Sequence, residues 1–326
     1  MFKNLIKRTA FTMAEILLSL TIIGVVAAIT LPSLTGNINE RTWNTQRKAL
    51  YSRMSQAIAL MPAINGYGTA QNGTWESNYS NRIDSTADLF LANGLSKVLK
   101  LNNICDNDHL QDCGFSNKIM GTAGSVAFAS FPKTIFELTK AWDLNATGTT
   151  SIIGNFGYDM KAAAFETANG ESVAVYYNPY CRTKNDFKQD SLIHKFMCVN
   201  FIYDLNGKKG PNTMGKDMGF MTLFYSVDSV LVAPVPLINK DTQKYTYVQA
   251  QQVCRAKEDS RLPNFEELGS LFFNKELMGT WTTYGNSFWS GTVASNGNRW
   301  HIDLSDGHVA SYGDNASHSV RCVKRN

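Results

Sequence analysis

Residues 11–34 read FTMAEILLSLTIIGVVAAITLPSL, and the rest of the chain is interpreted outward from this stretch. From Phe11 to Leu31 it is apolar except for Glu15 and a few small hydroxyls. As a helix at about 1.5 Å per residue it would be roughly 30 Å long, the thickness of a bilayer core. The preceding MFKNLIKRTA is short and basic, with Lys3, Lys7 and Arg8 placed to stay on the cytoplasmic side. An ordinary secretory signal cut near Val26-Ala27-Ala28 is the alternative. Glu15 argues against it, because a charge within a membrane segment costs about 2.5–3.5 kcal/mol or more and marks a partner.

A basic leader, Phe11 directly after a small residue, and Glu15 four residues further on resemble the type IV prepilins and the pseudopilins of type II secretion. The resemblance implies cleavage between Ala10 and Phe11, with Phe11 as the first mature residue and Glu15 as the fifth. Ala10 departs from the family's usual glycine. It further implies a methylated α-amine on Phe11, neutralised by Glu15 of a neighbouring subunit inside an apolar fibre core. Implied partners are other pilin subunits, a prepilin peptidase and an inner-membrane assembly platform. The implied location is the inner membrane for the precursor, then an extracellular fibre or a periplasmic pseudopilus. Pro32, which lacks a donor and crowds the preceding turn, is expected to kink or melt the helix.

The chain has 326 residues, 44% hydrophobic and 18% charged, with a net charge of +4. That is a globular balance with room for two cores. No basic block points to nucleic acid. Six cysteines, Cys105, Cys113, Cys181, Cys198, Cys254 and Cys322, lie beyond the apolar segment without any C-x-x-C pair. Behind an export signal this favours disulfides over zinc. Sequence neighbours suggest Cys105–Cys113, Cys181–Cys198 and Cys254–Cys322, although six cysteines allow fifteen pairings and some reduced, buried thiols are the alternative.

Past Gly36 the helix is expected to resume, with Trp43, Arg47, Leu50, Met54, Ile58 and Met61 on one face. This stripe is either packed on a globular head or a partner groove. A helix is predicted over Thr86–Leu99, and strands over Val126–Phe131, Ser151–Ile153, Ser172–Tyr177, Phe196–Tyr203 and Gly219–Tyr225. The loop DLNGKKGPNTMGKD between two strands offers Asp204, Asn206 and Asp217 as oxygen ligands suited to Ca²⁺, the one cofactor suggested. The alternative is a turn whose Asp and Asn side chains bond their own backbone.

Val232–Leu237 reads as a stiff proline connector. A second module follows: a helix from Tyr247 to Glu258, a helix capped by Asn264 with Glu266 and Glu267 in its first turn, then Phe288–Thr292, Arg299–Val309 and Ser319–Val323. Arg261-Leu262-Pro263, Glu266-Glu267-Leu268, Phe288-Trp289-Ser290, Trp300, Gly307 and Val320-Arg321-Cys322-Val323 resemble bacterial C-type-lectin-like modules. That resemblance also implies a long disulfide from the first helix to the last strand, which suits Cys254 and Cys322.

Alternation over 299–305 is expected to send Trp300, Ile302 and Leu304 inward, and His301, Asp303 and Ser305 to solvent. Asn296, Asn298, Arg299, His301, Asp303, Ser305, His308, Ser311, Tyr312, Asp314, Asn315 and His318 then form a candidate ligand surface of adaptable polar groups and a few aromatics. Its residue types match those produced by adenine-directed mutagenesis of asparagine codons, so the resemblance extends to retroelement-diversified proteins. A merely solvated edge is the alternative. No G-x-S-x-G, phosphate loop or H-E-x-x-H occurs, and His301, His308 and His318 follow no metal-ligand spacing, so no catalytic activity is expected.

The sequence thus predicts an α+β chain: leader 1–10, assembly helix 11–62, pilin-like antiparallel sheet head 63–235 and lectin-like domain 236–326. Its expected function is a minor pilin or pseudopilin displaying a binding domain on a fibre, bound to an unknown protein or glycan. A purely structural subunit is the alternative.

Overall fold

The computed structural model describes residues 13–65, 87, 90–106, 109–116, 118–122, 126–128, 163–177, 197–224, 230–237, 243–257, 259–278, 287–305 and 307–325. The chain divides into two units, residues 1–47 and 48–326.

Helix α1 (Met13–Asn65) begins in the first unit. Ile16, Leu17, Leu18, Leu20, Ile22, Ile23, Val25 and Val26 are 45–63% exposed. Ser19 and Thr21 return their hydroxyls to the carbonyls of Ile16 and Leu17. The polar groups in this stretch are therefore turned onto the helix itself, leaving an apolar exterior. The helix runs unbroken through Pro32 and Gly36, against the expected melting and restart. The membrane-crossing helix is also corrected: among the described residues no helix is long and apolar enough to cross a membrane.

The second unit is built on a six-stranded antiparallel sheet in the order β1-β4-β5-β6-β7-β8. These are β1 (Leu101–Cys105), β4 (Ala163–Thr167), β5 (Ser172–Tyr177), β6 (Met197–Asp204), β7 (Met218–Phe224) and β8 (Val230–Val232). A small ribbon of β2 (Ile119–Met120) and β3 (Val126–Phe128) lies beside it in sequence. Every residue of β5 and β6 is buried, so the central strands are covered on both faces rather than on one. On one face, Tyr177 and Phe201 meet Phe90 at ring-centroid distances of 5.4 and 6.2 Å. Of the expected helix at Thr86–Leu99, residue 87 is helical, while 90–97 form a π turn (Phe90–Gly94) followed by a 3₁₀ turn (Leu95–Lys97). Leu50, Met54, Ala57, Ile58 and Met61 of α1 are buried, so the stripe is packed. Tyr51 donates to the Leu231 carbonyl and Arg53 pairs with Glu171, tying this half of α1 to the sheet.

The opposite face, with Ala164, Ala174, Tyr176, Ile202, Phe220 and Phe224, shares one hydrophobic core with α3 (Phe265–Phe273) and with Phe288, Ile302 and Val309 of the C-terminal segment. This corrects the expected division into a pilin-like head and a separate lectin-like domain, since apolar groups from both segments exclude water together. The supposed connector at 232–237 is zipped onto the C-terminus: Leu237 N–H donates to Cys322 and Lys324 N–H to Val235.

The C-terminal segment contributes α2 (Tyr247–Arg255), α3, a three-stranded sheet of β10 (Ser287–Val293), β11 (Arg299–Asp303) and β12 (Val309–Tyr312), and a ribbon of β9 (Ser260–Arg261) with β13 (Val323–Lys324). Asn264 caps α3 as expected. Its side chain accepts from Glu267 N–H at 2.7 Å, while Glu267 accepts from Asn264 N–H at 2.8 Å. The same Glu267 takes Arg261 in a two-pronged pair at 2.6 and 2.7 Å, which gives the Arg261…Glu267 motif a physical basis. Gly307 sits at φ +75° in the tight β11–β12 turn, a conformation that favours glycine.

Disulfides join Cys105 to Cys113 and Cys254 to Cys322, with Cα separations of 5.9 and 5.5 Å. Cys198 is also disulfide-bonded. Cys181, its expected partner, lies outside the described residues, as does the predicted strand Ser151–Ile153.

Candidate ligand-binding face

The register of the small sheet places Trp289 opposite His301, and His301 opposite Ala310. Side chains opposite one another share a face, so Trp289, His301 and the flanking Arg299 and Tyr312 lie on one side. Trp300, Ile302, Phe288 and Val309 lie on the other, toward α3, where Trp300 meets Phe265 at 5.7 Å. The predicted alternation therefore holds in its parity. Its second half needs correction: His301 is only 4% exposed, while Ser311, paired with Trp300, is buried on the opposite face. The 313–320 segment and α2 bring further rings over this face.

The result is a continuous aromatic row. The Arg299 guanidinium lies 4.5 Å from the Tyr247 ring centre. Tyr247 meets Trp289 edge-on at 5.6 Å, and Trp289 meets His318 edge-on at 4.5 Å. His318 stacks on His301 at 4.6 Å with their planes 8° apart, and Tyr312 leans on both. Trp289 Nε1–H donates to the Tyr245 carbonyl at 2.7 Å, so the indole is fixed. Sequence reasoning missed Tyr247 and Trp289 as members of this face. The signal that places Trp289 there is the strand register.

The electrostatics follow from burial. His301 is pulled down to about 4, first by desolvation, then by His308, with the Ala310 backbone and Asp303 opposing. His318 is likewise lowered to about 4, by desolvation, His301 and Lys244, with Asp303 opposing. Both rings are neutral at pH 7. His301 Nδ1 and His318 Nε2 are buried and make no hydrogen bond.

Several of the predicted surface groups are occupied in turns. Asn296 accepts from Asn298 N–H and donates to Ser311. Asp303 accepts from both the N–H and the hydroxyl of Ser305. Arg299 pairs with Asp314 at 3.1 Å. Tyr312, Asp314 and Asn315 are exposed, and His308 is half-buried. The three histidines do converge on one region, yet no group of three or more acidic, histidine or cysteine side chains among the described residues is arranged to hold a metal ion.

In the 204–217 loop, Asp204 and Asp217 are fully buried. Asp217 accepts from Asn212 and Thr213 N–H at 2.8 Å each, and Asp204 accepts from Asn206 N–H at 3.0 Å. The carboxylates thus bond their own loop. Asp204 is pushed up to about 8, chiefly by burial, with Asp217 adding and the Asn206 and Gly207 backbone opposing. Asn206 Oδ1 is buried without a hydrogen-bond partner.

Of the processing residues, Glu15 is exposed in the first turn of α1, while Ala10 and Phe11 lie outside the described residues. No family model matches the chain, and no curated protein matches it.

Proposed function

We propose that the chain is a pilin-like or pseudopilin-like subunit, assembled through its N-terminal helix into a surface or periplasmic fibre and presenting the C-terminal aromatic face to a ligand. The observation that carries this is the exposed apolar run Ile16–Val26 beside the carboxylate of Glu15. Eight large apolar side chains left in water call for a cover, and like helices of neighbouring subunits supply one whose α-amines Glu15 would neutralise. Cysteines placed along Leu17–Val25 of the exported protein should cross-link between subunits. Their absence from any multimeric product would refute the assembly role.

The binding role rests on Tyr312 and Asn315, exposed beside the fixed aromatic row. Tyrosine supplies rigid contact area and asparagine adaptable hydrogen bonding. Diversification of this surface belongs to the same proposal. Glycan arrays and cell-binding assays with the full chain and with Tyr312→Ala/Asn315→Ala separate this role from a purely structural subunit, which would bind nothing in either form. For the 204–217 loop, Ca²⁺ is a second reading, favoured by the unpartnered Asn206 Oδ1.

A further inference from the structure

We propose that the stacked His301–His318 pair is an acid-released latch, which holds the 312–319 segment on β11 near neutral pH and lets it open when the medium is acidified. The geometry supplies both the lock and the trigger. The two imidazoles lie parallel at 4.6 Å, His301 is buried, and Trp289 closes the stack from the edge at 4.5 Å. His301 Nδ1 and His318 Nε2 have no hydrogen-bond partner, so a proton added there finds no acceptor within the closed cluster. A second proton would set two like charges in stacking contact away from water.

The surroundings do little to neutralise that charge. On β11 the nearby acid is Asp303, whose Oδ1 already accepts twice from Ser305. His308, from the β11–β12 turn, and Lys244, ahead of α2, add positive potential. Arg299 and Asp314 are paired with each other, while Tyr247, Tyr312 and Trp289 contribute neutral rings. Apart from the Arg299–Asp314 pair, the segment is held by backbone bonds, which carry no titratable group. Tyr245 and His318 exchange backbone bonds at 2.9 and 3.1 Å, and Ser319 bonds Ser287 and Trp289. Beyond them the Cys254–Cys322 disulfide anchors the chain, so release stops short of unfolding.

The sign follows from the lowered values. In the open segment each ring returns to its ordinary value near 6.5, whereas the closed stack resists protonation down to about 4. Closure is therefore fully favoured above about pH 6.5 and weakens as the pH falls toward 4.

Hydrogen–deuterium exchange of the full chain at pH 7, 5.5 and 4.5, corrected for intrinsic rates, reads the opening. The expected result is faster exchange in 309–319, by up to about fiftyfold per histidine between pH 7 and 4.5, with β4–β7 unchanged. His301→Gln/His318→Gln should abolish that pH response. Histidine ring titration by NMR on the unmodified chain provides a second test that does not depend on the variant folding. The His301 and His318 rings titrating near 6.5, an unchanged pH response in the double variant, or exchange rising equally in β4–β7 would each overturn the latch.

Discussion

Asn200 on β6 and Asn274 at the end of α3 hydrogen-bond through their amides in both directions, at 2.9 and 3.0 Å, inside the core between the large sheet and the C-terminal segment. Asn200 Oδ1 also accepts from Thr222, its cross-strand neighbour, whose oxygen in turn receives the Ser270 hydroxyl proton at 2.6 Å. Four buried polar side chains thereby satisfy one another across the interface that joins residues 197–224 to 265–274. Apolar packing alone would tolerate sliding between the layers, whereas this network accepts one alignment.

Asn274→Leu should destabilise the protein by about 2–3 kcal/mol, because it strands the Asn200 amide in the core. Asn200→Leu should cost a similar amount. The double variant should cost clearly less than the sum, since it leaves no single orphan. Chemical denaturation of the four proteins measures the coupling, and strict additivity would mean that the two amides act independently.

Glu267 is the second joint of this segment, serving the cap of α3 and the Arg261 pair at once. Glu267→Ala should cost about 3 kcal/mol, combining a lost cap with a partly buried arginine left alone. Glu266→Ala, on the neighbouring and more exposed position, should change stability by less than about 0.5 kcal/mol.

Cys254 and Cys322 are 68 residues apart in sequence. Replacing both by serine should lower stability by about 4 kcal/mol if the loss is purely one of unfolded-chain restriction, and by less if the reduced state retains structure. Denaturation midpoints with and without reductant check this on the unmodified chain.

Asp204 gives a pH signature opposite to that of the histidines. Its folded value is raised to about 8, so its contribution is complete below about pH 4 and is lost as the pH climbs through 8. Melting temperature should therefore fall from pH 5 to pH 8.5, and Asp204→Asn should flatten that slope. If Ca²⁺ occupies the loop, millimolar calcium should raise the melting temperature at pH 8 and remove the slope, because the cation favours the ionised carboxylates. A melting curve indifferent to calcium leaves a self-bonded turn.

Much of the local structure was legible in the sequence, because period and capping are local properties. SVAVYY is β5 over its full length, Asn264 caps α3 as its place before two glutamates indicates, and Leu50, Met54, Ile58 and Met61 form the buried stripe of α1. Strand β1 was missed because Asn102 and Asn103 mask its pattern, and β4 because its burial is nearly continuous rather than alternating. The shared core was illegible for a different reason: Val232–Leu237 has a linker's composition, but its backbone pairs with 322–324, a contact set by the fold and not by local propensity. The face was half-read. Alternation gave the side on which His301 lies, but solvent was assumed there, and only the register with Trp289 and the return of His318 shows that it is covered.

The assembly role depends on what is done to the N-terminus. Mass spectrometry of the N-terminal peptide from exported, surface-recovered protein tests it most directly. The account predicts a chain beginning at Phe11, carrying a methylated α-amine, with Glu15 retained. A chain beginning at Met1, or beyond Ala28, would contradict it.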